Sequence, residues 1–301
     1  MSRLLHALLA FFALLLAARG AGAALTVVAT TTDLAALTKA VGGDKVKVTA
    51  LALYTQDPHW VDARPHLALE LARADLLVLN GAELEVGWLP TLLTGSRNGN
   101  IQKGARGQLD ASTLVTLLEV PTTKVDRSMG DIHPNGNPHY TRDPRAAEKV
   151  AVGIAKRLAE LDPANSAAYL EQTKRFLAEL RQARAGWEKR LAGGRGAAIV
   201  AYHRSLVYLG DWLGLRIVEH VEPRPGIPPN PRHVAHVIDV ARENKVKAIV
   251  QESWFPASTS KLLAAKCGAR AIQFAGAPDF AKGESYVVWM NGVVQRLAEA
   301  L

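Results

Sequence analysis

From Leu25 onward the chain alternates two patterns: short apolar runs, and longer stretches in which apolar positions recur every third or fourth residue. LTVVATT (25–31) predicts a buried strand, DLAALTKAVGG (33–43) a helix capped by Asp33 and stopped at Gly42-Gly43, and KVKVTAL (45–51) an alternating strand. RPHLALELARADLLVLNG (64–81) reads as a helix running into a strand that ends in an Asn80-Gly81 turn. The same alternation resumes with strands at 196–203 and 215–221, a helix through 231–244 and a strand at 246–252. Short apolar strands separated by helices specify parallel sheets covered on both faces, and there are two such blocks.

Between the blocks, residues 143–194 carry an almost uninterrupted helical pattern. Asp162-Pro163 starts a new helix within it, with proline at the first turn. At 1.5 Å per residue that helix extends about 40 Å, enough to connect two lobes stiffly. The expected organisation is therefore an α/β protein of two lobes: a first lobe over 24–160, a linking helix over 161–194 and a second lobe over 195–301. No internal repeat or low-complexity tract interrupts it.

Residues 1–23 have a different pattern. Arg3 precedes an apolar run from Leu4 to Ala18 broken only by His6, and Ala21-Gly22-Ala23 follows. This is the layout of a secretory signal peptide cleaved after Ala23. The run is short for a membrane span of about 20 apolar residues, so export is expected rather than anchoring. The single cysteine, Cys267, excludes an internal disulfide and is not at the cleavage point, so no lipid anchor is expected. A periplasmic location follows from these expectations.

The net charge of +8 includes Arg3 and Arg19 of the leader, which leaves the mature chain at about +6. Its Lys and Arg are interleaved with Glu on helices such as KVAVGIAKRLAEL (149–161), which reads as a solvated surface and not as a nucleic-acid face.

Of the nine histidines, three stand out by position. His59 follows the Asp57-Pro58 turn beyond a strand, His139 follows Asn137-Pro138, and His203 ends the strand AIVAYH. These are the carboxyl-end positions where α/β sheets place ligands. Two of the three follow a proline, which fixes the backbone. Rigid loops of this kind suit metal ligation, in which donor geometry exists before the ion arrives. The three are too far apart in sequence for any local metal motif.

The segments DPHWVDARP, GNPHYTRDP, YHRSLVYLGDWLGL and IVQESWFPAS, with the opening VVATTTDLAALTKAVGGDKVKV, together resemble the metal-ion solute-binding proteins of zinc and manganese ABC importers. The resemblance covers the mature chain in order. It implies two α/β lobes joined by a long helix, small lobe closure, an ion held between the lobes, and an ABC permease as partner to a monomer. His59, His139 and His203 match the family's ligand positions. Three imidazoles favour zinc, whereas manganese prefers more carboxylate oxygen, and manganese-binding relatives carry glutamate where this chain has His203. A fourth ligand is open among Glu252, Asp279 and water, because the position of the relatives' late-loop aspartate falls at Ala275.

The remaining histidines read as bland: His133 and His66 as surface residues, His220 as half-buried in a strand, His233 and His236 as an adventitious pair on one helix face. Trp60 and Trp254 are expected to wall the site from water. EPRPGIPPNP (222–231), with five prolines, reads as a stiff loop near the cleft mouth. Two rival readings remain at this level. One is a zinc hydrolase using the same three histidines, though no H-E-x-x-H occurs; the other is a surface adhesin or metal chaperone.

Overall fold

Central strands of a parallel sheet are buried on both faces, and the computed structural model, which describes residues 24–123 and 133–301, shows this in both lobes. The expected leader at 1–23 lies outside the described residues. In the first lobe, β1 (Leu25–Ala29), α1 (Thr32–Gly42), β2 (Val46–Ala50), α2 (Pro65–Ala72), β3 (Leu76–Leu79), α3 (Leu89–Ser96) and β4 (Gln108–Asp110) form a parallel sheet in the order β2-β1-β3-β4. Two long helices follow, α4 (Pro144–Leu161) and α5 (Ser166–Arg190). The second lobe comprises β5 (Ala198–Ala201), α6 (Val207–Leu213), β6 (Arg216–His220), α7 (Pro231–Glu243), β7 (Ala248–Glu252), α8 (Ala257–Cys267), β8 (Arg270–Phe274) and α9 (Tyr286–Ala298). Its sheet repeats the order, β6-β5-β7-β8, again all parallel.

The alternation of side chains divides the core. Val28 and Leu77 face an outer cluster with Leu71, Trp88 and Ile101, and Val200 and Ile249 face another with Val237 and Leu263. Their neighbours Val27, Ala29, Leu76 and Val78 in one sheet, and Ile199, Ala201, Ala248 and Val250 in the other, belong to a single apolar cluster that runs through both lobes. The long helix supplies its centre. Tyr169, Phe176, Leu180 and Trp187 lie on one stripe of α5 and are all buried.

This adds to the picture of the linker. The stiff connector expected over 161–194 is there as α5, 25 residues long, about 37 Å, and it also packs against α1, α4 and α9. The C-terminal helix also reaches across, with Trp187 Nε1 donating to Asn291 Oδ1 at 2.5 Å. Two lobes sharing one apolar cluster cannot swing widely apart without exposing it.

One capping expectation fails. The N-cap of α1 is Thr31, and Asp33 instead lies in the first turn, accepting from Leu34 N at 3.0 Å and from Thr141 Oγ1 at 2.5 Å. A distant hydroxyl therefore holds the carboxylate that the local pattern assigned to capping. The Asn80-Gly81 turn is as expected and requires glycine. Gly81 has φ +77°, and a Cβ there would lie 1.8 Å from Asp110 Oδ1. Glu85 closes this turn, accepting from Thr30 Oγ1, Asn80 N and Gly81 N, and its burial pushes the carboxyl up to about 7.

Candidate metal centre

In each sheet the strand order reverses beside the first strand, which opens a crevice at the carboxyl ends. His203 lies two residues beyond β5, His59 in the connection after β2, and His139 in the long connection between β4 and α4. The three rings converge between the lobes. Their centroids stand 5.1 Å (His59–His139), 5.2 Å (His59–His203) and 5.2 Å (His139–His203) apart, a nearly equilateral triangle. One ligating atom from each lies within 4.8 Å of the others, and among the described residues this is the group of three or more donors able to hold an ion.

Each ring has its own support. Asp57 Oδ1 accepts from both the backbone N–H and Nδ1 of His59, at 3.0 and 2.6 Å. Glu222 Oε2 accepts from His203 Nδ1 at 2.7 Å. An imidazole donating from Nδ1 to a carboxylate carries its lone pair on Nε2, the arrangement that orients metal-bound histidines. His139 is held through its backbone. Its N–H donates to Asn137 Oδ1 at 3.0 Å, while Asn137 Nδ2 donates to Arg204 O at 2.8 Å and Tyr208 Oη donates to Asn137 O at 2.7 Å. Asn80 Nδ2 donates to Pro138 O at 3.0 Å. The stiff Asn-Pro turn is thus pinned from both lobes, and the imidazole rides on it.

The electrostatics suit a cation. His139 Nε2 is shut off from solvent with no hydrogen-bond partner, an arrangement that is unfavourable unless something binds it. Burial, reinforced by His59, His203 and His133, holds the His139 pKa well below the usual histidine range, so the ring is neutral. Burial also depresses His203, but the hydrogen bond and charge of Glu222, with Asp57 and Glu252 behind them, outweigh it and raise its pKa. The Asp57 carboxyl, despite burial, is held down to about 2 by His59.

The other candidates are placed elsewhere. Glu252 is fully buried at the end of β7, where its Oε1 accepts from Arg142 Nη2 at 3.2 Å. Asp279 pairs with Lys282 at 3.0 Å. Neither joins the histidine group. Trp60 is 62% exposed and walls nothing. Trp254 does wall a narrow crevice beside His139, packed so tightly over Gly276 that a Cβ there would lie 1.8 Å from the ring. His66 is exposed and His220 half-buried, and burial lowers the His220 pKa to about 4. His236 Nε2 lies 3.2 Å from Glu219 on the surface.

Three residues were underread from sequence. Asp57 read as a turn former and Glu222 as part of a proline-rich loop, yet both orient imidazoles. His133 read as a surface residue, whereas its Nε2 lies 3.3 Å from His59 Nε2. The signal for it was the spacing HPNGNPH (133–139), with a histidine at each end of one tight turn.

Comparison with known proteins places the chain in a family. A family model described as ZnuA, zinc-uptake complex component A, periplasmic, matches residues 27–300. The manganese ABC transporter substrate-binding lipoprotein scaA of Streptococcus gordonii is 30% identical over 159 residues, 52% of this chain and 48% of that protein, so the match spans about half the length of that relative. The manganese ABC transporter substrate-binding lipoprotein PsaA of Streptococcus pneumoniae is 25% identical over 92% of this chain and 89% of its own. A crystal structure of ZnuA superposes with a TM-score of 0.77 at 25% identity, covering 92% of this chain and 99% of that one.

Proposed function

This chain belongs to the periplasmic zinc-uptake component A family, and we propose that it captures a divalent transition metal after export and delivers it, as a monomer, to an ABC permease. His59, His139 and His203 are the proposed ligands, and zinc is the proposed cargo in preference to manganese. One observation carries the reading: three buried imidazoles present their nitrogens to a common point, two oriented by carboxylates and the third with a solvent-free, unpartnered Nε2. An all-imidazole triad suits zinc, which takes nitrogen ligands in a four-coordinate shell, better than manganese, which favours oxygen. The arrangement also suits holding over catalysis. Asp57 and Glu222, the carboxylates hydrogen-bonded to the triad, each accept from a ligand ring and are not placed to activate water.

The test is a competitive titration of metal-stripped residues 24–301 with zinc and, separately, manganese. One tight zinc equivalent with much weaker manganese binding is expected. Absence of a stoichiometric zinc site would overturn the reading, and tighter manganese would overturn the choice of metal.

Zinc affinity should also depend on pH in a particular way. The ion needs neutral rings, so protons compete where a ring gains its charge. His203, with its raised pKa, protonates at higher pH than His139, which resists protonation until well below the ordinary histidine range. Log affinity is therefore expected to begin falling above pH ~6.5, with a slope of about one decade per pH unit. Glu222→Gln, which removes the charge that raises His203, should move that break to lower pH. Titrations between pH 8.5 and 5.5 would check both points.

A further inference from the structure

We propose that His133 is the fourth ligand, so that the captured ion sits in a shell of four imidazoles; the proposal rests on the three-histidine reading above. His133 stands outside the triad in this arrangement but in direct contact with it. Its Nε2 lies 3.3 Å from His59 Nε2, with ring centroids 5.3 Å apart and the planes tilted by 32°. The Nδ1 of His59 is committed to Asp57, so the nitrogen facing His133 is the one that carries the lone pair.

The separation is informative. Two nitrogens each bound at about 2.0–2.1 Å to one tetrahedral zinc stand roughly 3.3–3.4 Å apart. His133 and His59 already hold that spacing. Without the ion, a proton on His133 Nε2 bridges the two nitrogens. When the ion arrives, His133 takes its Nδ1–H tautomer and Nε2 becomes a donor.

The backbone makes this contact a built feature. His133 and His139 flank one turn, closed by Gly136 N donating to His133 O at 3.1 Å and tied down by Asn137 N donating to Leu118 O at 2.8 Å. Gly136 has φ +108°, and a Cβ there would press on Leu117 at 2.8 Å, so the turn has little freedom to open. The two carboxylates that compete for the fourth place are held by Arg142 and Lys282. Ala275, just beyond β8, is apolar and offers no donor. A four-nitrogen shell would also sharpen the preference for zinc over manganese.

The experiment compares wild type, His133→Ala and His139→Ala by zinc competition, with cobalt(II) as a spectroscopic probe, and with His236→Ala as a surface-histidine control. His133→Ala should still bind one zinc, but at least about tenfold more weakly, with the tetrahedral cobalt absorption weakened as solvent replaces a ring. X-ray absorption of zinc-loaded wild type should count four imidazoles. Wild-type affinity and an unchanged cobalt spectrum in His133→Ala, or three imidazoles plus oxygen in wild type, would overturn the fourth-ligand proposal. His139→Ala separates the two claims: its loss of zinc keeps the triad standing even if His133 fails, while its indifference would sink both.

Discussion

Replacing His139 with alanine is expected to weaken zinc binding by at least about a hundredfold, beyond what loss of an orienting partner produces, while leaving the metal-free fold intact. The two effects separate because of how the ring is held. Its backbone is fixed by Asn137, which is itself tied to Arg204 and Tyr208, and alanine keeps those bonds. The side chain contributes an enclosed Nε2 with no partner, which in the metal-free state is a burden of about 1–3 kcal/mol. Removing the ring relieves that burden and opens a small void, and the two terms oppose each other. Thermal unfolding reads both at once. Wild type should gain ~2.7 kcal/mol when free zinc is a hundredfold above the dissociation constant, and His139→Ala should gain almost nothing at the same zinc level from a similar metal-free starting point. A variant that retained the full zinc-induced gain would remove His139 from the ligand set.

Much of this centre was legible in the sequence, for a physical reason. The fully buried β5 leaves a continuous apolar run and the half-exposed edge strand β2 an alternating one, so the ends of both strands, and with them the positions of His59 and His203, were locatable without coordinates. Proline before His59 and His139 marked loops too rigid to be incidental. The orienting carboxylates were harder, because they depend on pairing. Ala201 of β5 is in register with His220 of β6, so His203 and Glu222, each two residues further on, emerge side by side from adjacent strands. Nothing in either segment alone reveals that. β4 escaped because three residues, Gln108–Asp110, cannot display a period. Asp33 looked like a helix cap because the sequence does not show Thr141 arriving from more than a hundred residues away.

The second large effect is expected at the other buried charge in the cleft. Arg142 enters from the turn after His139, and Glu252 terminates β7 in the opposite lobe; their side chains are 6% and 0% exposed and meet at 3.2 Å. The guanidinium also lies over Phe274 and Trp289, 5.8 and 5.2 Å from the ring centroids. Arg142→Met would keep most of the packing and leave Glu252 buried without its cation, a loss of about 3–5 kcal/mol. Pairing that change with Glu252→Leu should recover most of the loss, because two apolar groups need no partner. A double-mutant cycle in urea checks this, and additive losses would show that the pair does not act as a unit. The same cycle bears on the metal. If the work of Glu252 is to hold Arg142 across the lobe boundary, then Glu252→Gln leaves zinc affinity close to wild type while lowering the urea midpoint. Were Glu252 a ligand, the order would reverse, with zinc affinity collapsing by far more than stability. Geometry favours the first outcome: the carboxylate faces an arginine, and the three imidazoles meet without it.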